Sequence, residues 1–226
     1  MDGVTPRPAA GCNTVYGVAL NYRATLDALG PALNEKPYGA PPKAPVLYIK
    51  PANTWMGDGD PIIVPTDIAG VQAGVTLAAV LQRDLYQATS ETVLDALAGF
   101  TIVNDVTIPH SDFFRPMIQN RCRDRFCAIG ATLVRVDAFP SLDSIEMRVW
   151  VNGQLRCTET TAGLVRPIAR LLADISALFT LSAGDLVLIG AAPNSPVVKP
   201  GDEVRMEIAG IGSLQNPVVA AAVGVQ

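Results

Sequence analysis

The stretch "TIVNDVTIPH", residues 101–110, places one carboxylate, Asp105, in a run of β-branched residues. Aspartate is disfavoured inside a strand and costs free energy when buried without a partner. A metal ion, a basic side chain or a set of backbone donors must compensate it. Four arginines follow within eleven residues, Arg115, Arg121, Arg123 and Arg125, and Lys50 ends the earlier run "VLYIK". In a chain with only 17% charged residues, this density reads either as a solvated loop or as a carboxylate-binding set. The guanidinium fork matches a carboxylate in geometry as well as in charge.

Other chemistries have little support. The sequence contains no G-x-S-x-G elbow, no Walker loop and no H-E-x-x-H motif. "GDGDP" holds a G-x-G but opens no helix, so it reads as a turn. The one histidine, His110, follows Pro109 in a loop and has no accompanying nucleophile motif. Cys122 and Cys127 form a C-x4-C pair, wider than the usual redox spacing. With Cys12 and Cys157 they read as buried or half-buried thiols and not as a zinc site.

A chain of 226 residues suits one large domain, and 49% hydrophobic residues suit a substantial core. A net charge of −4 provides no broad basic face, so no nucleic-acid partner is expected. No stretch approaches the ~18 consecutive apolar residues of a membrane span. Residues 1–15 read as a flexible N-terminal arm without signal-peptide character, and 16–226 as a single domain. Unpaired cysteines fit a reducing, cytoplasmic setting.

The elements that must position Asp105 and the cations are mostly strands. Eighteen prolines and nineteen glycines punctuate the chain, which favours short strands joined by turns. "TVYGVAL" reads as a strand leading into a short amphipathic helix in which Tyr22, Leu26 and Leu29 recur, stopped by Gly30-Pro31. "EKPYGAPPKAP" reads as an extended loop or lid. "GVQAGVTLAAVLQRD" reads as a buried strand, and "SETVLDALAGF" as a helix capped by Ser90. "SIEMRVWVNGQLRC" alternates around Asn152-Gly153, a hairpin signature. "LVRPIARLLADISALF" reads as a helix with a proline near its start. The sum is a β-dominated α+β chain with a closed or rolled sheet system.

At the level of whole motifs, the chain resembles the fumarylacetoacetate hydrolase family. The likeness rests on "GVALNYR", "YIKPANT", "AGFTIVNDVT", "CRDRFCAIG", "VNGQLRCTETTAGL", "LFTLSAGDLVLIG" and "KPGDEVRMEIAGIGSLQNPVV", in order from about Tyr16 to Val219. Within the family, "NYRATLDAL", "PYGAPPKAPVLYIKP" and "CRDRFC" are similar to the N-terminal half of bifunctional isomerase/decarboxylases of 4-hydroxyphenylacetate degradation. In some bacteria the two halves of those enzymes are separate subunits. The resemblance implies a mixed β-sandwich roll, oxo-acid substrates carrying two or three carboxylates, and a homo- or hetero-oligomer with a sister subunit. It also implies a divalent cation, usually Mg²⁺, on a Glu-x-Glu pair and a later aspartate.

Transferred residue by residue, the aspartate ligand is Asp105, while the two glutamates fall on Gly74 and Thr76. Neither supplies a carboxylate, although Thr76 could offer a neutral oxygen. The family's lid His and Glu fall on Thr25 and Ala28, its Arg-Asp pair on Pro109 and His110, and the threonine of its late turn on Ala191. Lys50 is retained, and Arg121 stands where lysine is common. The expectation is therefore a remnant metal site, with no ion bound by this chain and Asp105 paired to Lys50 or Arg121 or held by backbone donors. Lys50, Asp105 and Arg121 are the candidate catalytic groups, and Arg115, Arg123 and Tyr22 the candidate substrate-binding ones. The implied role is a subunit of the isomerase/decarboxylase that supports a metal-bearing sister. The alternatives are a free-standing hydrolase or decarboxylase of another oxo acid, or a non-catalytic structural module.

Overall fold

The computed structural model describes residues 12–110, 112–114 and 117–222. Strands dominate it. In chain order they are β1 (Val15–Ala19), β2 (Val46–Lys50), β3 (Trp55–Met56), β4 (Ile62–Val64), β5 (Val71–Gln72), β6 (Val75–Leu81) and β7 (Leu97–Asp105). There follow β8 (Cys127–Ile129), β9 (Glu146–Val151), β10 (Gln154–Thr160), β11 (Leu186–Leu188), β12 (Val197–Val198), β13 (Glu203–Ile208) and β14 (Gly212–Ala220). Among the described residues three α-helices accompany them: α1 (Arg23–Leu29), α2 (Ile118–Arg121) and α3 (Ile168–Ser176).

A seven-stranded sheet runs β2-β1-β11-β6-β7-β8-β3, and a five-stranded sheet runs β10-β9-β13-β14-β4. In the larger sheet, β2 and β3 are the two edges, yet only residues 51–54 join them. Laid flat, seven strands at ~4.8 Å spacing would separate those edges by roughly 29 Å. A four-residue link spans at most roughly 17 Å. The sheet must curl. The same conclusion follows from Lys50 on β2, which lies 2.8 Å from Asp105 on β7 although three strands stand between theirs. The curl therefore has an inner face, on which Asp105 shares its parity with Val103.

That face carries its own apolar cluster: Val15, Ala78, Val103, Cys127, Ile129, Leu186 and Leu188. The outer face belongs to the main core, which it forms with the inward side chains of the five-stranded sheet and with α3. In α3, Ile168, Leu171, Leu172 and Ile175 are buried at helical spacing. Each contributes about 1.5–3 kcal/mol by leaving water. Pro167 sits at its N-cap, where a missing N–H costs nothing.

The "SIEMRVWVNGQLRC" hairpin forms as β9 and β10, with Asn152 and Gly153 both at positive φ, 51° and 77°. That is the twist a two-residue hairpin turn requires. "SETVLDALAGF" differs from expectation. Only one 3-10 turn forms, over Val93–Ala96, and Ser90 does not cap it. Leu97, Gly99 and Phe100 are taken instead by β7, in register with Leu81, Val80 and Ala79 of β6. Sheet pairing outweighs the local helical period. The helix after Asn21 does form as α1, but none of its residues is fully buried.

Residues 1–11 of the expected arm lie outside the described residues. The remainder is tied down: Asn13 N–H donates to the Gly184 carbonyl and Thr14 N–H to Asp185, before fully buried Val15 opens β1. No described helix is long and apolar enough to cross a membrane.

Candidate functional site

Asp105 closes β7 and is 1% exposed, while Lys50 closes β2 and is fully buried. Lys50 Nζ donates to the carbonyl oxygens of Val106 (2.6 Å), Arg121 (2.9 Å) and Phe126 (2.9 Å). It also lies 2.8 Å from Asp105 Oδ1. An ammonium has three protons and here faces four oxygens, so the contact with Oδ1 is an ion pair without a dedicated proton. Asp105 Oδ2 accepts from Arg121 Nη1 at 2.9 Å and, through a short bond, from the Tyr48 hydroxyl. Asp105 N–H donates to the Gly74 carbonyl at 2.8 Å, which fixes the strand end.

Arg121 ends α2, a single turn, and is 8% exposed. Its guanidinium carbon stands 4.2 Å above the centre of the Tyr48 ring, a cation–π contact. Tyr48 lies opposite Gly17 across the β1–β2 pair. A Cβ on Gly17 would fall 2.1 Å from the ring carbons of Tyr48 and 2.6 Å from its oxygen. Glycine at 17 thus makes room for the ring that touches both Asp105 and Arg121. Gly17→Ala is expected to push the ring off both partners and cost about 1–3 kcal/mol, read as a lower denaturation midpoint and a changed near-UV dichroism spectrum.

The electrostatics follow from burial and neighbours. Burial is the strongest influence on Asp105 and would raise its pKa, but the Lys50 and Arg121 charges, with the hydrogen bond from Tyr48, together hold it below the ordinary carboxyl value. Burial and the adjacent Asp105 carboxylate keep the Tyr48 phenol protonated well above its usual range. His110 is lowered by burial and by Arg121, so it stays neutral at pH 7. Burial pushes the Cys127 thiol up to about 12, which leaves it no nucleophilic character. All four cysteines are free thiols.

The ends of β1, β7 and β11 surround a cavity of about 100 Å³ with mixed polar and apolar walls. Its walls include Tyr22, Tyr48, Gly74, Asp105, Arg121 and Ala191. Tyr22 is 2% exposed, and its hydroxyl has no partner among the described residues. Burial, reinforced by Glu159, keeps that phenol protonated. Tyr48, Phe113 and Arg121 also line a larger, mostly apolar groove of about 460 Å³, so they form the wall between the two spaces.

The structure brings Lys50, Asp105 and Arg121 together and puts Tyr22 on the cavity wall. It does not bring Arg123 there. The helix ends at Arg121, and Arg123 lies exposed on the far side of the turn with its Nε donating to the Gln119 carbonyl. Arg115 lies outside the described residues. Tyr48 was not among the residues singled out in the sequence. It reads there as an ordinary strand former, and only its facing glycine, thirty-one residues earlier, hints at a special place.

The set around Asp105 does not fit a divalent ion. Both carboxylate oxygens already meet cations or a hydroxyl donor. A Cβ at Gly74 would lie 2.9 Å from both Ala191 Cβ and the Asp105 carbonyl, so a longer side chain has no room to start there. Thr76 is fully buried, donates its hydroxyl proton to the Leu77 carbonyl and does not line the cavity. Among the described residues no three acidic, cysteine or histidine side chains cluster as a metal site would need.

Comparison with known proteins places this arrangement. The family profile described as fumarylacetoacetate (FAA) hydrolase, C-terminal, matches residues 14–219. The chain is 38% identical over 207 residues to the 4-hydroxyphenylacetate degradation bifunctional isomerase/decarboxylase of Salmonella dublin, covering 92% of this chain and 47% of that protein. It thus spans about half the length of that relative. A 5-carboxymethyl-2-hydroxymuconate delta-isomerase from Mycobacterium smegmatis superposes with a TM-score of 0.79 at 30% identity, covering 94% of this chain and 80% of that one. A maleylpyruvate hydrolase from Sphingobium sp. SYK-6, in complex with manganese(II) and pyruvate, superposes with a TM-score of 0.77 at 25% identity over 96% of this chain and 74% of that one. With its profile match over nearly the whole length and its curled strand-dominated fold, the chain belongs to the fumarylacetoacetate hydrolase family.

Proposed function

We propose that this chain is one subunit of a 2-hydroxyhepta-2,4-diene-1,7-dioate isomerase / 5-oxopent-3-ene-1,2,5-tricarboxylate decarboxylase. It holds no functional dication of its own and supports a metal-bearing sister subunit. The observation that carries the reading is the closed environment of Asp105, whose oxygens are taken up by Lys50, Arg121 and Tyr48. A hard dication needs several anionic oxygens to offset its dehydration, and this site retains one carboxylate. Two further observations support it. The chain matches about half of a bifunctional relative. The cavity of about 100 Å³ beside Asp105 is small for a seven-carbon dioate.

In this reading the residues of the chain hold shape and charge. Lys50 ties the closing edge of the curl to three carbonyls, and Arg121 and Tyr48 keep Asp105 ionised and in place. The test is a turnover assay on the purified chain, alone and mixed with a family member that retains all three carboxylates, with and without Mg²⁺. The chain alone is expected to be inactive with Mg²⁺ and to bind no Mn²⁺ by electron paramagnetic resonance. The mixture is expected to co-elute and to exceed the activity of the sister alone. Magnesium-dependent turnover of the tricarboxylate by this chain alone would overturn the reading.

A further inference from the structure

We propose that Asn152, in the one Asn-Gly pair of the chain, is a deamidation site that the folded hairpin holds shut through its clasp on β13. The inference concerns the hairpin tip alone and does not depend on the subunit role.

The reaction sets the requirement. A glycine nitrogen has no neighbouring side chain to shield it, so it is the backbone nitrogen best placed to attack a preceding asparagine. Having given its proton to base, the Gly153 nitrogen would attack Asn152 Cγ. The N–Cγ bond forms, the Cγ–Nδ2 bond breaks and ammonia leaves. Water then opens the succinimide ring to aspartate or isoaspartate, so the net change is one water taken up and one ammonia released. The attack demands that the Gly153 nitrogen rotate about the Asn152 Cα–C bond until it stands beside Cβ. Asn152 and Gly153 sit at φ 51° and 77°, the left-handed pair of a two-residue hairpin turn. In that region ψ is about +30 to +60°, which turns the following nitrogen away from Cβ. The ring cannot close until the turn unwinds.

Three hydrogen bonds resist that unwinding. Asn152 N–H donates to the Glu203 carbonyl at 2.9 Å. Asn152 Oδ1 accepts from Glu203 N–H at 2.9 Å, and Nδ2 donates to Asp202 Oδ1 at 2.8 Å. Val151 is the last residue of β9 to pair with β13, opposite Val204. Asn152 therefore extends that ladder by one step, its carboxamide oxygen standing in for a backbone carbonyl. Asp202 is itself fixed, because its Oδ2 accepts from Lys199 N–H at 2.9 Å. Both residues of the turn are exposed, so base and water reach the tip as soon as it opens. Opening needs only the end of the hairpin, which is where folded chains open at least cost. The rate of conversion is then set by the fraction of time the tip spends unclasped.

Conversion is also self-reinforcing. It replaces the Nδ2 donor with a carboxylate oxygen that would face Asp202 Oδ1 where the hydrogen bond had been. Two like charges at that distance repel, so the clasp cannot re-form at neutral pH. Isoaspartate further lengthens the backbone by one atom, which a two-residue turn cannot absorb. The tip is thus a one-way release between the β9–β10 hairpin and β13.

The experiment incubates the intact chain in mildly alkaline buffer, folded and in guanidinium chloride, and follows deamidation by mass spectrometry. Trypsin cuts after Arg148 and Arg156, so peptide 149–156 isolates the site. Folded wild type is expected to convert at least about tenfold more slowly than the unfolded chain. Folded Asp202→Ala is expected to convert about fivefold faster than folded wild type, the factor for one lost hydrogen bond. Asp202→Asn keeps both acceptor positions and is expected to stay near wild type. Circular dichroism confirms that each variant is folded. Asn152→Asp mimics the simpler product, and its Glu203 amide proton is expected to exchange at least about fivefold faster than in wild type. Equal rates in the folded and unfolded wild type would overturn the proposal. So would a folded Asp202→Ala as slow as wild type, an Asp202→Asn as fast as Asp202→Ala, or an unchanged Glu203 exchange rate in Asn152→Asp.

Discussion

Lys50→Met is expected to lower the stability of the chain by about 3–5 kcal/mol, the cost of breaking a buried ion pair by removing one partner. The substitution nearly preserves side-chain volume, so the loss reports on charge and hydrogen bonding and not on a cavity. Two costs combine. Asp105 loses the cation 2.8 Å from its Oδ1 and keeps only Arg121 and Tyr48. The carbonyls of Val106 and Arg121 lose the protons Lys50 supplied, and that of Phe126 keeps only the Val106 N–H, around a side chain that is fully buried. An orphaned buried acceptor costs about 1–3 kcal/mol, so the carbonyls alone can account for much of the total. Urea denaturation at pH 7 checks the prediction. A midpoint shift with an unchanged slope would locate the effect in the native state. Adding Asp105→Asn to Lys50→Met separates the two costs. The double variant has no uncompensated carboxylate but still lacks the Lys50 protons at the carbonyls, so the two losses should sum to more than the double by about 0.5–3 kcal/mol.

The place of Lys50 in the fold explains why so much depends on one side chain. It ends β2, the edge strand of a sheet whose other edge begins five residues later. Its ammonium gathers carbonyls from the end of β7, the end of α2 and the residue before β8. It therefore joins the edge to the strands it must meet when the sheet curls, as a sealed hydrogen-bond hub in place of an uncovered edge. Tyr48, two residues earlier on the same face, adds the contact to Asp105.

Local pattern carried the strands and the strongest turn. Alternation around Asn152-Gly153 specified β9 and β10, because period-two burial and the positive φ of an Asn-Gly turn are both local properties. The apolar run of β6 was legible for the same reason, since it is buried on both faces. Asp105 stood out because a carboxylate conflicts with its own surroundings, and such conflicts concentrate at functional sites. Tyr48 did not stand out. Its significance lies in Gly17 opposite it and in Asp105 across the curl, and neither relation exists before the sheet closes. The arginine cluster was legible as a density but not as a direction. One turn of helix points one residue inward, and that residue is Arg121, while Arg123 faces solvent. The "SETVLDALAGF" segment carried a real helical period that lost to pairing with β6, a competitor visible only once both strands are adjacent.

Asp105→Asn is expected to cost about 3–5 kcal/mol at pH 7 as well, since it leaves Lys50 and Arg121 without their counter-charge. Its dependence on pH should differ from that of a packing defect. Burial pushes the Asp105 pKa upward, yet the two cations and the hydrogen bond from Tyr48 more than reverse this, so the folded value lies below the 3.8 of an unperturbed aspartate. A depressed carboxyl pKa contributes stability that is fully present above the unfolded value and is lost as pH falls through the folded one. Wild type should therefore hold its advantage over Asp105→Asn from neutrality down to about pH 4. Below 3.8 the unfolded chain takes up the proton first and the advantage shrinks. Once the folded carboxyl is itself protonated, both chains present a neutral group to the same two cations, and their stabilities should converge. Denaturant midpoints of the two proteins between pH 7 and pH 2 measure this directly. A gap that stayed constant through the acid range would mean that Asp105 acts through its shape, and that Lys50 and Arg121 do not hold it as an ion.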